Sequence, residues 1–177
     1  MPMRGLTVAA TALICAAFAG NSIAQSVPSE LTANELAEVL GVHWWSIRLP
    51  DTTKPGDSIG VQWVSSDGKA LTGCSVSMVN TSITAGTIAT IFCKDEAGVP
   101  GVIIRTPNGD LNTAFPAVSL TGATIGGLPN GALASDGDIL LKLVRRAADG
   151  TLTVSPGNHL NDGDTGLKVV IHHASRN

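Results

Sequence analysis

A chain of 177 residues that is 44% hydrophobic, 14% charged and 3% aromatic, with no tyrosine, can build one domain with a real core and is too apolar to be disordered. Its formal net charge of −3 argues against nucleic acid or an anionic membrane surface as a partner, because both need clustered Lys and Arg. Charged residues fall well below the usual ~25%, so the surface must be largely Ser, Thr, Asn and Gly.

Met1 to Ala24 read as a secretory signal peptide. Arg4 supplies the positive start, Leu6 to Ala19 is apolar and uncharged, and Ser22-Ile23-Ala24 places small residues where a signal peptidase cuts, so the mature chain begins at Gln25. The apolar run is shorter than the ~20 residues a bilayer requires, and no membrane span is expected in the mature chain. Ile14 precedes Cys15, where lipid attachment would need a small residue. The expected location is periplasmic or secreted. Cleavage removes Cys15 and leaves Cys74 and Cys93 as a pair in a compartment where disulfides persist. A bond between them is expected, joining adjacent or facing strands, with the chain reversing around Ser82 to Gly86. Closing a loop of that size is worth on the order of 3 kcal/mol in the chain-entropy picture.

In the mature domain, Thr32-Ala33-Asn34-Glu35 is a capping box, Leu31 and Leu36 can form a hydrophobic staple, and Gly41 supplies a C-terminal stop. The spacing predicts one short helix over Ala33 to Leu40, docked through Leu36, Val39 and Leu40. Everything after it alternates between period-two segments and turns. Strands are predicted over His43 to Leu49, Ser58 to Ser65, Cys74 to Val79, Thr87 to Cys93, Val102 to Thr106, Ile139 to Arg146, Thr151 to Val154 and Leu167 to His173. Ala114 to Asp136 reads as a long, partly irregular connection. The fold expected is mainly β: a single antiparallel β-sandwich, or a barrel-like variant, over residues 25–177 with one short N-terminal helix.

No catalytic pattern stands in the setting that its chemistry needs. Eight of the ten Asp residues adjoin a Gly, which is turn chemistry, and tips of turns lack the burial that tunes a catalytic carboxylate. Gly56-Asp57-Ser58-Ile59-Gly60 has the G-x-S-x-G spacing and Ser66-Asp67-Gly68-Lys69 the S-x-x-K spacing, but both fall in turn signals at the ends of one predicted strand with no helix following, so neither has the setting that a nucleophile needs. No metal site and no cofactor are expected, beyond a loose Ca²⁺ site at Asp162 and Asp164 that Asn158 or Asp136 would have to complete. Asp162 cannot open an EF-hand loop, because His173 stands where the bidentate Glu is required. His172 and His173 fall on opposite faces of a strand and cannot share a metal without distortion, and no paired zinc-ligand motif helps.

Binding residues are easier to nominate than catalytic ones. In His43-Trp44-Trp45-Ser46-Ile47-Arg48-Leu49, alternation sends His43, Trp45, Ile47 and Leu49 to the core and Trp44, Ser46 and Arg48 to the other face. Trp44 and Arg48 would lie ~13 Å apart along the strand, an aromatic and a guanidinium of the kind that dominate binding hot spots. Trp63 is assigned to the core, and most of the five aromatics Trp44, Trp45, Trp63, Phe92 and Phe115 are needed there. The function expected is an exported non-catalytic module that binds an envelope or extracellular protein or glycan. The competing expectation is a small secreted hydrolase or hydrolase inhibitor.

Overall fold

The computed structural model describes residues 32–79 and 83–174; the signal peptide, its cleavage at Gln25, Leu31 of the staple and Ser82 lie outside the described residues. The helix α1 (Ala33–Val39) forms where its capping box predicts. Thr32 Oγ1 accepts from the Glu35 N–H, and the Glu35 carboxylate accepts from the Thr32 N–H at 2.8 Å. Its orientation departs from expectation. Ala37 is the buried residue, while Leu36, Val39 and Leu40 are 47%, 76% and 59% exposed. The helix docks through the small Ala37 side chain, and the predicted apolar stripe faces outward.

Ten strands follow: β1 (Val42–Arg48), β2 (Ser58–Ser65), β3 (Ala70–Val79), β4 (Ile88–Glu96), β5 (Val99–Thr106), β6 (Gly109–Ala114), β7 (Thr124–Gly127), β8 (Leu133–Ala134), β9 (Ile139–Val144) and β10 (Thr165–His172). They form two five-stranded sheets, the first in the order β6-β5-β4-β1-β8 and the second β3-β2-β10-β9-β7. All pairings are antiparallel except the two-residue contact of β1 with β8. This is the predicted β-sandwich. Trp45, Ile47, Ile91, Ile104 and Val102 from the first sheet and Ile59, Val61, Trp63, Leu167 and Val169 from the second share one buried cluster, the interleaved core that two stacked sheets create.

Close approach explains one glycine in this core-forming framework. A Cβ on Gly60 of β2 would lie 2.4 Å from the Val76 carbonyl oxygen of β3, so only glycine lets these strands pair there. Farther along, between Gln62↔Ser75 and Val64↔Ala70, β3 carries more residues than β2, and Gly73 at φ +71° belongs to that surplus.

The two cysteines of the expected bond both belong to one core cluster. Cys74 on β3 and Cys93 on β4 belong to different sheets, both are buried in the shared core, and both are free thiols. Burial, with Asp95 nearby, pushes the Cys93 thiol up to about 12, and burial raises the Cys74 thiol as well. Both are therefore packed as neutral apolar groups.

Two further segments differ from the sequence expectation. The predicted strand Thr151 to Val154 is irregular chain, and the segment read as irregular holds β7 and β8. The connection from β9 to β10 does not add an edge strand. It returns over the outer face of the second sheet, where Leu160 packs with Val64 and Ile139. Lys142 Nζ donates to the carbonyls of Ser155 at 2.7 Å and His159 at 2.8 Å. This cover buries every residue of β9.

The β4–β5 hairpin places Ala97 at φ +58° beside Gly98 at φ +86°, with Glu96 paired to Val99. Two left-handed central residues define the turn that matches strand twist and favours Asn-Gly. Ala97→Asn should therefore stabilise the domain by about 0.5–1 kcal/mol, read as a higher denaturation midpoint with an unchanged slope. An unchanged midpoint would mean that Ala97 carries no strain.

Candidate binding face

Alternation along β1 sorts its side chains as predicted: Trp45 is 1% exposed and Ile47 is fully buried, whereas Trp44 is partly exposed and Arg48 exposed. The register with β4 and β5 then determines what stands beside Trp44. Trp44 faces Phe92, and Phe92 faces Ile103. The next row runs Leu133, Ser46, Thr90, Arg105 and Asp110, and Arg48 faces Ile88. The outer face of the first sheet thus carries an apolar band of Trp44, Phe92 and Ile103, flanked by Leu133 at 62% and Ile88 at 49% exposure.

Phe92 is a residue of this face that sequence reasoning does not nominate. It is partly exposed between Ile91 and Cys93, which are the inward residues of β4. The pattern I-F-C contains no polar residue to mark the outward position. Thr90 and Lys94, the polar residues two positions to either side, mark the outward face.

Several contacts hold the face in one geometry. The Asn130 side chain accepts from the Trp44 N–H at 3.1 Å, and the Gly131 N–H donates to the Trp44 carbonyl at 2.9 Å. The Trp44 ring lies against Gly131, whose Cβ, if present, would be 3.0 Å from Cζ2. On the neighbouring row, Arg105 donates to both carboxylate oxygens of Asp110, at 3.0 Å from Nε to Oδ1 and 2.8 Å from Nη2 to Oδ2. Its guanidinium carbon sits 5.7 Å from the Phe92 ring centre, within cation–π range. Pairing raises the Arg105 guanidinium and lowers the Asp110 carboxyl. Arg105 is thereby a fixed donor next to an aromatic ring.

Across β1 from this band, a cleft of about 350 Å³ opens between β1 and β7, lined by Glu38, His43, Trp45, Ile125, Leu128 and Asn130. His43, expected in the core, is half-buried and stacks on Trp45, with ring centres 6.2 Å apart and planes 14° apart. Trp45 Nε1 donates to the Leu128 carbonyl at 3.1 Å. Burial lowers the His43 pKa against an opposing bond from Asn130, which favours the neutral ring.

The residues considered for a Ca²⁺ site have structural partners. Asp164 is 4% exposed and accepts from the Asn161 and Arg145 N–H groups, while Asp162 accepts from the Ser66 hydroxyl. Asn158 is engaged by Ile139 and Asp138, and Asp136 accepts from the Ile171 N–H. No third ligand joins Asp162 and Asp164, and among the described residues no group of three His, Cys, Asp or Glu side chains could hold a metal ion.

Asp57 departs from the expected exposed turn tip in a different way: it is 4% exposed. Its carboxylate accepts from the Lys54 and Ala174 N–H groups, each at 2.9 Å, and lies 2.9 Å from His173 Nδ1. Those backbone bonds, then His173, lower its pKa from 3.8 to about 2. A carboxylate beside an imidazole could orient a base, but among the described residues no Ser, Thr or Cys side chain hydrogen-bonds the ring. The pair anchors the end of β10 to the turn before β2. Because the folded pKa is depressed, its stabilisation is complete above the unfolded value near 3.8 and is lost as pH falls toward 2. In thermal melts between pH 4 and 2, Asp57→Asn should show a shallower loss of Tm than the parent. Identical slopes would remove Asp57 from the acid response.

Among the described residues, no helix is long and apolar enough to cross a membrane. Comparison with family models, with curated proteins and with solved structures found no match to this chain.

Proposed function

We propose that this chain is an exported, non-catalytic β-domain that binds an envelope partner, protein or glycan, through the outer face of its first sheet. One observation carries the reading: Trp44 and Phe92 stand opposite each other on the outer face, in a chain with few aromatics, while Trp45, Ile91 and Cys93 beside them fill the core. Apolar residues on the outer face of a sheet add only modestly to the stability of a lone domain, and contiguous apolar patches on soluble domains mark interaction sites. Aromatic area next to the fixed Arg105 and the exposed Arg48 combines desolvation with directional donors.

The test compares capture by the parent protein with capture by Trp44→Ala and Phe92→Ala, immobilised and exposed to periplasmic and outer-membrane fractions. Material retained by the parent should be lost in both variants and weakened in Arg48→Ala. Cross-strand aromatic pairs contribute about 0.2–1 kcal/mol, so both variants should remain folded. Retention that is unchanged in all three would rule the face out. Mass spectrometry of protein recovered from the exporting cell tests the localisation independently. It should find Gln25 as the first residue, and the same mass reads whether Cys74 and Cys93 are thiols or have been joined.

A further inference from the structure

The four edges of the two sheets differ in protection. β6 has six residues and carries Asp110, β7 has four and β8 two. β3 has ten residues, ALTGCSVSMV, with no charge and no proline, and among the described residues it pairs only with β2. A long strand edge exposes unpaired N–H and C=O groups that can template another strand, and natural domains usually blunt such edges with charge, proline or a bulge. The surplus around Gly73 distorts only the first part of β3. Ser75 to Val79 pair with β2 in unbroken register.

We infer that two copies of this chain associate through the β3 edge, in antiparallel pairing about a two-fold axis at Val76, so that the second sheet runs continuously through both copies. The residue pattern is self-complementary about that point. An axis at Val76 sets Val76 against its copy, Ser75 against Ser77, and Cys74 against Met78. The outer-face pair is two exposed hydroxyl residues, which suit cross-strand hydrogen bonding. The inner-face set is Cys74, Val76 and Met78, of which Val76 and Met78 are only partly buried at the rim of the core. Pairing would cover them and make the two cores contiguous. A two-fold contact uses one patch twice, so this arrangement needs no second complementary surface. The inference is independent of the aromatic band, which lies on the other sheet.

Sedimentation of the purified protein over a concentration series tests it. A monomer–dimer equilibrium is expected. Ser75→Lys/Ser77→Lys should shift it to monomer, because each Lys would then face a Lys across the axis. Mixing that variant with Ser75→Glu/Ser77→Glu should restore a dimer containing one copy of each, which also shows that both variants are folded. Val76→Cys should cross-link to its own copy under mild oxidation, identified by mass spectrometry as a bond between the two copies at position 76. A parent protein that stays monomeric up to its solubility limit would overturn the inference. So would a dimer that the lysine pair does not disperse and that Val76→Cys does not cross-link.

Discussion

Trp45→Ala should destabilise the domain by roughly 3–5 kcal/mol, a large share of the 5–15 kcal/mol typical of whole domains. Trp44→Ala, one residue away, should cost about 1 kcal/mol or less. Trp45 is 1% exposed, belongs to the shared core and donates its indole N–H to the Leu128 carbonyl. Truncating it opens a cavity between the sheets, exposes the His43 ring that stacks on it, and leaves the Leu128 carbonyl without its partner. Trp44 loses one ring from a solvent-facing row. Chemical denaturation of the two variants side by side checks the contrast. Equal losses would mean that Trp44 is a core residue, and the proposed binding face would lose its centre.

Lys142→Ala should cost about 2–4 kcal/mol, because it strips a hydrogen bond from the buried Ser155 carbonyl and another from the partly buried His159 carbonyl, and leaves a void under the β9–β10 connection. Lys142 is 2% exposed, and burial lowers its pKa against an opposing pull from Asp164. No carboxylate pairs with it within ion-pair distance among the described residues. Its ammonium is satisfied instead by the Ser155 and His159 carbonyls. The loss should therefore be local before it is global. Hydrogen exchange should speed up across residues 145–161, while the amides of β1, β4 and β5 keep their protection. Lys142→Met restores most of the volume but neither hydrogen bond, so it should recover only part of the stability. Uniform acceleration through both sheets would show that the connection is not held by this clasp.

Both expectations depend on information that sits at different levels. Local pattern alone determined that β1 would bury Trp45 and turn Trp44 outward, because alternation is a property of the strand itself. Local hydrogen bonding likewise determined the start of α1, where Thr32 and Glu35 are three residues apart. The same pattern left the docking face of α1 wrong: Ala37 rather than Leu36 meets the domain, and only the space next to β1 decides how closely a helix can approach. Phe92 came to stand beside Trp44 through a register between strands more than forty residues apart, which no local periodicity encodes. β9 reads as a fully apolar strand broken by one lysine; its burial on both faces and the use of that lysine exist only because the following connection folds back over the sheet. Asp57 and Asp164 look like ordinary turn acids, and they are buried because distant chain, His173 and Ala174 in one case and Arg145 in the other, supplies their partners. The sequence by itself thus determined the strands' inward and outward faces and the mainly β class, which follow from steric and solvent preferences over a few residues. The tertiary structure alone decided which faces meet, since those contacts are chosen by the packing of the whole core.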